Sequence, residues 1–208
     1  HRLGTVGTAI EGVSLKLDTD GEILAKGPNV MMGYYKRPDL TAEVMTEDGW
    51  FRTGDIGELD SEGYLRITDR KKEIFKTAGG KYITPQAMEN AFKMSSFIEQ
   101  CMVAGDNQKF PVLLIQPHYD YLKSWCSRKG IEWTSPAEMI ADPRIIARFQ
   151  REIDATNAQY GQWEKVKKFA LTPDLWTIAD GHVTPTLKLR RKPILQRYAG
   201  LYEALYQE

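Results

Sequence analysis

The first part of the chain alternates apolar and polar positions in short runs that turn residues separate. Residues 13–17 (VSLKL) and 22–27 (EILAKG) flank the turn sequence DTDG, and residues 56–68 repeat the arrangement around DSEG. Because successive side chains of a strand point to opposite faces, this alternation with Asp- and Gly-containing turns predicts β-hairpins. One helical segment interrupts the strands at residues 36–45, where we expect Thr41 to cap the helix.

After Asp69 the pattern changes to apolar runs that alternate with segments of helical spacing. The runs of strand length lie at residues 73–77, 98–105, 111–117 and 166–172. The second and third of these runs should form a hairpin. The helical segments lie at residues 86–95, 119–130, 137–160 and 194–206. Within the third of these segments, the side chains expected on one face are Ile145, Ile146, Phe149 and Ile153. The sequence therefore predicts an α+β chain, with a β-rich piece at residues 1–69 and a compact α+β domain at residues 70–208.

Length and charge exclude several classes of protein. The 208 residues include 28 basic and 28 acidic side chains, so the net charge is zero and no global attraction to nucleic acid is expected. No apolar run reaches the roughly 18 residues of a membrane-spanning helix. The sequence begins at His1 without Met and without a signal peptide, which favours a fragment of a longer protein.

Cysteine and histidine positions indicate no metal chemistry in this chain. Cys101 and Cys126 form no CxxC pair, and none of the three histidines has a second ligand-type residue at metal spacing. We therefore expect reduced thiols, no disulfide framework and no metal site.

Two motifs near the change of pattern contain side chains suited to a nucleotide. In GWFRTGD (49–55), the Asp55 carboxylate at a strand end can accept hydrogen bonds from both hydroxyls of a ribose. In DRKKEIFK (69–76), the Arg70 guanidinium is a planar fork of donors for phosphate or ribose oxygens. Taken alone, each motif has a plainer interpretation, as a strand end and as a solvated charge cluster.

Two further motifs lie in the second part of the chain. In TAGGKYITP (77–85), Gly79 and Gly80 leave room for a ligand close to the backbone, although a plain glycine turn has the same sequence. In TPTLKLRRKPI (184–194), the Lys188 ammonium can stabilise negative charge on carboxylate and phosphate oxygens. The competing interpretation is a basic patch that meets phosphate without specificity, formed by Lys188, Arg190, Arg191 and Lys192.

In order and spacing, these motifs resemble the adenylate-forming (AMP-binding) superfamily, over about residues 21–117 and 182–205. TPTLKLRR, with Leu187 where many members have Gly, resembles the C-terminal portion of its long-chain fatty acid–CoA ligase branch. The resemblance implies that residues 1–69 are the distal β subdomain of an incomplete adenylation domain, and that residues 70–208 are its mobile C-terminal domain. The implied reaction joins a fatty acid to coenzyme A through an acyl-adenylate made from ATP. Mg²⁺ and most ATP contacts are expected from the missing N-terminal part, so the fragment alone is expected to be inactive.

The resemblance also implies a role for each motif residue. Asp55 and Arg70 would bind the nucleotide, Lys188 would be catalytic in adenylation, and Lys72 would be the hinge. Gly79 and Gly80 would form the hairpin that lines the coenzyme A tunnel. We expect a cytoplasmic protein, with peripheral membrane association through the substrate left open. Two alternatives remain: an acyl-AMP ligase that loads a carrier protein, and a non-catalytic interaction domain that binds a partner through the helices of residues 119–160.

Overall fold

The computed structural model describes residues 2–207 of the chain. The chain divides into two compact units, His1–Ile74 and Phe75–Glu208. Within the described residues, the first unit has a four-stranded sheet and one helix, and the second has a three-stranded sheet, a two-stranded ribbon and six helices. The assignment of residues 1–69 and 70–208 to two domains of a larger enzyme stays a prediction.

The α+β class predicted from the sequence is confirmed, with strands and at least one helix in each unit. The strands are β1 Ser14–Leu17, β2 Glu22–Lys26, β3 Phe51–Leu59, β4 Leu65–Arg70, β5 Phe75–Lys76, β6 Tyr82–Ile83, β7 Ile98–Ala104, β8 Val112–Pro117 and β9 Lys168–Leu171. The helices are α1 Pro38–Val44, α2 Pro85–Phe92, α3 Tyr119–Arg128, α4 Pro136–Met139, α5 Pro143–Asn157, α6 Arg191–Arg197 and α7 Ala199–Ala204. Within residues 2–207, none of these helices combines the length and apolarity needed to cross a membrane.

The first unit is built on an antiparallel sheet of four strands in the order β1-β2-β3-β4. The predicted hairpin of β1 and β2 is confirmed. The prediction that Thr41 caps α1 is wrong, because the helix already begins at Pro38. The Thr41 hydroxyl instead donates to the Arg37 carbonyl at 3.0 Å and accepts from the Tyr34 amide at 2.9 Å. It thereby closes the turn that precedes the helix.

The second unit packs helices against both faces of a three-stranded sheet in the order β7-β8-β9. The predicted β7–β8 hairpin is confirmed, and β9 pairs with β8 in parallel. Alternate residues of β8 enter different cores: Leu113 faces the cluster that contains α2, α3 and α5, whereas Leu114 faces the cluster that contains α6. A strand buried on both faces explains why the sequence of β8 is a continuous apolar run.

Two details of the predicted helices are wrong. Ile145, Phe149 and Ile153 of α5 are buried, but Ile146 is 41% exposed because it lies at the edge of the apolar stripe. The closing helix predicted at residues 194–206 is two helices, α6 and α7, that meet at Tyr198. The Tyr198 ring is buried against Trp176, so tertiary packing accompanies the break.

Candidate functional site

Asp55 and Arg70 face each other across the β3–β4 pair. Their Cα atoms are register partners, and Arg70 Nε lies 2.9 Å from Asp55 Oδ1. The Asp55 side chain is 28% exposed and that of Arg70 is 45% exposed. The structure thus brings together the two residues predicted to bind nucleotide, and it leaves a carboxylate and a guanidinium accessible side by side.

Asp55 lies within β3 and not at a strand end as the sequence suggested, and the backbone before it is fixed by hydrogen bonds from its own residues. Gly54 has φ +72, a left-handed conformation that favours glycine, and its amide donates to Glu22 Oε1 at 3.0 Å. The Thr53 hydroxyl donates to the Ile23 carbonyl at 2.7 Å and accepts from the Asp55 amide at 3.1 Å. These contacts to β2 hold the Asp55 backbone in place before any ligand arrives.

Glu22 is a buried carboxylate that the motif analysis missed. It is 3% exposed, and its Oε2 lies 3.1 Å from Arg52 Nη1 and 2.8 Å from Lys71 Nζ. Arg52 and Lys71 also pair with the neighbouring carboxylates of Asp18 and Asp20, at 2.7 and 2.6 Å. The only sequence signal for this network was a charged residue at the start of an apolar strand.

Pairing in this network favours the ionised carboxylates. A hydrogen bond from the Thr19 amide, followed by one from Arg52, lowers the pKa of Asp18 below its usual value. A hydrogen bond from Lys71 lowers the pKa of Asp20 in the same way. The three carboxylates of Asp18, Asp20 and Glu22 lie close enough to share an ion, but Arg52 and Lys71 already compensate their charge. We therefore assign the network to supporting the part of β3 that contains Asp55.

Lys72 lies in an exposed turn directly after β4. The Glu73 amide donates to the Arg70 carbonyl at 2.9 Å, which places Lys72 at the third position of the turn. Lys71 is held to the first unit, because its amide donates to the Gly54 carbonyl and its ammonium pairs with Glu22. Within residues 2–207, the Lys72 amide donates no backbone hydrogen bond of this kind. The predicted hinge residue thus follows directly after the last residue tied to β2 and β3.

Gly79 and Gly80 form the tip of the β5–β6 hairpin. Gly80 has φ +74, whereas Gly79 does not use the left-handed region, and a Cβ on Gly79 would meet only Thr77 Oγ1 at 3.9 Å. The hairpin is anchored to the β7–β8 connection, since the Ala78 amide donates to the Gln108 carbonyl at 2.8 Å. Both glycines are exposed, so the tip is open to a ligand.

Lys188 lies near the tip of a short loop whose two legs pair at Val183 and Leu189. The Thr184 amide donates to the Lys188 carbonyl at 2.8 Å, and the Lys188 amide donates to Thr184 Oγ1 at 3.0 Å. The side chain of Lys188 is exposed, and within residues 2–207 its ammonium enters no ion pair. Leu187 has φ +59 and is 66% exposed, so this leucine adopts a backbone conformation that usually favours glycine. The loop therefore presents an accessible cation on an ordered backbone.

Arg191, three residues after Lys188, is tied into the fold, and sequence analysis had assigned it only to a basic patch. Its Nη2 lies 2.7 Å from Glu89 Oε1, and its Nη1 donates to the Val103 carbonyl at 2.9 Å. Glu89 is 5% exposed and also accepts from the Val103 amide at 2.8 Å. No periodicity links α2 to α6, so this pair had no signal in the sequence.

The arrangement supplies different chemistry on different elements. The first unit offers a carboxylate and a guanidinium that together suit a ribose or a phosphate. The second unit offers an accessible ammonium on the Lys188 loop and an open glycine hairpin on β5–β6. A mobile ammonium can stabilise charge that develops on phosphate oxygens, and an open glycine tip leaves room for a slender substrate arm.

The sequence profile of the AMP-binding enzyme C-terminal domain matches residues 72–208, and the chain belongs to this family. Its membership of the adenylate-forming superfamily, predicted from the motifs, is thereby confirmed. A putative fatty-acid–CoA ligase, fadD11 of Mycobacterium tuberculosis, is 39% identical over 206 residues, which are 99% of this chain and 36% of that protein. The long-chain-fatty-acid–CoA ligase FadD15 of the same species is 36% identical over 208 residues, 100% of this chain and 34% of that protein.

The fold likeness extends to solved adenylation domains. The A domain of a carboxylic acid reductase from Segniliparus rugosus, in complex with AMP and a co-purified carboxylic acid, matches with a TM-score of 0.76. Identity is 23%, and the match covers 96% of this chain and 32% of that chain, so it shows the fold alone. The chain thus spans about a third of the length of the curated relatives named above.

Proposed function

We propose that the full-length protein is an AMP-forming long-chain fatty acid–CoA ligase, and that this chain supplies its C-terminal portion. The observation that carries the proposal is the ordered loop with an accessible Lys188, in a chain whose relatives are named as fatty acid–CoA ligases. Residues 1–69 would end the adenylation domain, and residues 70–208 would be the mobile C-terminal domain. Alone, the chain lacks most of the nucleotide site and is inactive in this proposal.

In the first half-reaction, the fatty acid carboxylate attacks the α-phosphorus of ATP, and the bond to pyrophosphate breaks. Asp55 would accept hydrogen bonds from the ribose hydroxyls, with Arg70 beside it to orient the nucleotide. Lys188 would stabilise the negative charge shared by carboxylate, α-phosphate and leaving pyrophosphate. Mg²⁺, bound by the rest of the protein, would neutralise the pyrophosphate oxygens.

In the second half-reaction, the thiolate of coenzyme A attacks the acyl carbonyl and AMP leaves. The C-terminal domain would rotate at Lys72 and bring the Gly79–Gly80 hairpin to the pantetheine arm. The pivot at Lys72 is supported by its place in an exposed turn, directly after a residue fixed to β2 and β3. In this proposal, the Lys188 loop serves adenylation and the Gly79–Gly80 hairpin serves thioester formation. This division fits their position on separate elements of one domain.

The test is product analysis with the full-length protein, a long-chain fatty acid, ATP and coenzyme A. The proposal predicts acyl-CoA, AMP and pyrophosphate in equal amounts, and no turnover without the fatty acid. Transfer to a carrier protein's phosphopantetheine but not to coenzyme A would favour the alternative acyl-AMP ligase. Absence of pyrophosphate release with every carboxylate offered would favour the non-catalytic interaction domain. Fractionation of cells would test the expected cytoplasmic location.

A further inference from the structure

The Lys188 loop is anchored in the second unit by two legs. The first leg is held by the Thr177 carbonyl, which accepts from the amides of His182 and Val183 at 3.0 and 3.3 Å. The second leg runs from Lys188 to the start of α6 at Arg191. The two legs bond to each other, since the Arg190 amide donates to the His182 carbonyl at 2.8 Å. The second leg therefore connects Lys188 to whatever fixes Arg191.

Arg191 is fixed by a triangle of hydrogen bonds. Its two terminal nitrogens reach Glu89 Oε1 at 2.7 Å and the Val103 carbonyl at 2.9 Å, and Glu89 Oε1 accepts from the Val103 amide at 2.8 Å. A charge-assisted fork of this kind restricts both the distance and the orientation of the arginine. We call Arg191, Glu89 and the Val103 backbone the clamp.

The clamp joins elements that are distant in sequence. Glu89 belongs to α2, which follows the Gly79–Gly80 hairpin and β6, while Val103 belongs to the buried strand β7. Glu89 is 5% exposed, so its charge is held in a poorly solvated place where Arg191 compensates it. A buried ion pair of this type adds little net stability compared with apolar packing, so stability alone does not account for it.

We propose that Arg191 and Glu89 are positioning residues that hold Lys188 in place for the adenylation half-reaction. The proposal rests on the proposed function, because it assigns the clamp to the same lysine. Arg191 touches no substrate in this account and acts on Lys188 through Leu189 and Arg190, the two residues between them. The clamp also removes Arg191 from the basic patch that sequence analysis considered as an alternative.

The test is the double substitution Glu89→Gln with Arg191→Met in the full-length protein. The side-chain amide introduced by Glu89→Gln can still accept from the Val103 N–H and can donate to the Val103 carbonyl. The backbone groups of Val103 therefore keep hydrogen-bond partners, whereas the ion pair to α6 is lost. A single change at Arg191 would instead leave the Glu89 charge buried without this partner and endanger folding. Arg197→Met is the matched control, since Arg197 lies on the same helix in an exposed pair with Asp174.

The double variant should form acyl-adenylate about 10-fold more slowly, with little change in KM for ATP or fatty acid. Conversion of preformed acyl-adenylate to acyl-CoA should be spared, and Arg197→Met should change neither step. In a Lys188→Ala background, the double substitution should add no further loss. An equal decrease in the rates of both half-reactions would overturn the positioning role. So would a further decrease of about 10-fold in acyl-adenylate formation when the double substitution is added to Lys188→Ala.

Amide hydrogen exchange separates failure of the clamp from failure of the proposed function. The amides of Leu187 and Lys188 are bonded within the loop, and they should exchange at least several-fold faster in the double variant than in Arg197→Met. If Lys188→Ala leaves adenylation intact while this exchange difference is seen, the proposed function fails but the clamp stands. If the exchange rates are equal, the clamp fails whatever the enzyme does.

Discussion

At the scale of single residues, the positions assigned to chemistry are accessible and the residues that support them are buried. Asp55 is partly exposed and Lys188 is exposed, whereas Glu22 and Glu89 are 3% and 5% exposed. Each buried carboxylate accepts a hydrogen bond from a backbone amide and forms an ion pair, Glu22 with Lys71 and Glu89 with Arg191. The supporting residues therefore define backbone positions, and the exposed ones are left to meet a ligand.

Replacing Asp55 should weaken ATP use without damaging the fold. The Asp55–Arg70 pair is partly exposed, and pairs of that kind contribute about 0–1 kcal/mol to stability. Hydrogen bonds from ribose to a charged acceptor are worth about 1.5–3 kcal/mol, so Asp55→Ala should raise KM for ATP roughly 10-fold or more. Glu58→Ala, an exposed carboxylate on the same strand, should leave it unchanged. An unaltered KM in Asp55→Ala would remove the ribose role.

Leu187 offers a test of backbone strain. A left-handed conformation costs a non-glycine residue about 1–2 kcal/mol, and Leu187 at φ +59 is mostly exposed, so little burial is lost with its side chain. Leu187→Gly should therefore be neutral or stabilise the chain by up to about 1 kcal/mol in urea unfolding. Leu175→Gly, also exposed but with no positive φ, should destabilise it. Equal destabilisation by both changes would refute the strain.

At the scale of elements, the short β5–β6 hairpin of the second unit depends on its anchor. The β5–β6 hairpin pairs only Phe75 with Ile83 and Lys76 with Tyr82, and a two-stranded ribbon of that size is not stable by itself. The Asn107 amide, which donates to the Lys76 carbonyl at 2.7 Å, ties it to the β7–β8 connection. The hairpin tip can thus stay open without losing its shape.

Gly79→Leu should obstruct the second half-reaction and leave the fold intact. A Cβ at Gly79 meets nothing closer than 3.9 Å and the backbone is not left-handed, so the domain accepts a side chain there. The added bulk would block the pantetheine arm, so we expect slower acyl-CoA formation and normal pyrophosphate release in a single turnover. Gly200→Leu, where a Cβ meets nothing within 4 Å and which lies on α7 instead of the hairpin, is the control. Blocked adenylation with intact thioester formation would reverse the assignment.

At the scale of the whole molecule, hydrophobic periodicity and turn residues predicted most helices and strands. They could not predict which residues distant in sequence contact each other. The strand alternation at residues 13–27 and the apolar runs of β7 and β8 predicted their hairpins, because the period of side chains is local information. The break at Tyr198 was missed because the ring packs against Trp176, and helix spacing does not show that contact.

The same limit applies to the candidate site. Motif order gave Asp55, Arg70 and Lys188, because each lies in a recognisable run of sequence. The residues that support these positions, Glu22 and Glu89, come from distant elements, since 49 residues separate Glu22 from Lys71 and 102 separate Glu89 from Arg191. Only the folded chain shows which charge compensates which.

The central claim, that Lys188 serves adenylation, is tested most directly by assaying the two half-reactions separately. In the full-length protein, Lys188→Ala should lower acyl-adenylate formation by roughly 10²-fold or more, as loss of a transition-state charge contact does. It should spare conversion of preformed acyl-adenylate to acyl-CoA. Lys192→Ala, another exposed lysine of the same basic run, should change neither rate. Equal loss in both half-reactions, or an equal effect of Lys192→Ala, would contradict the account.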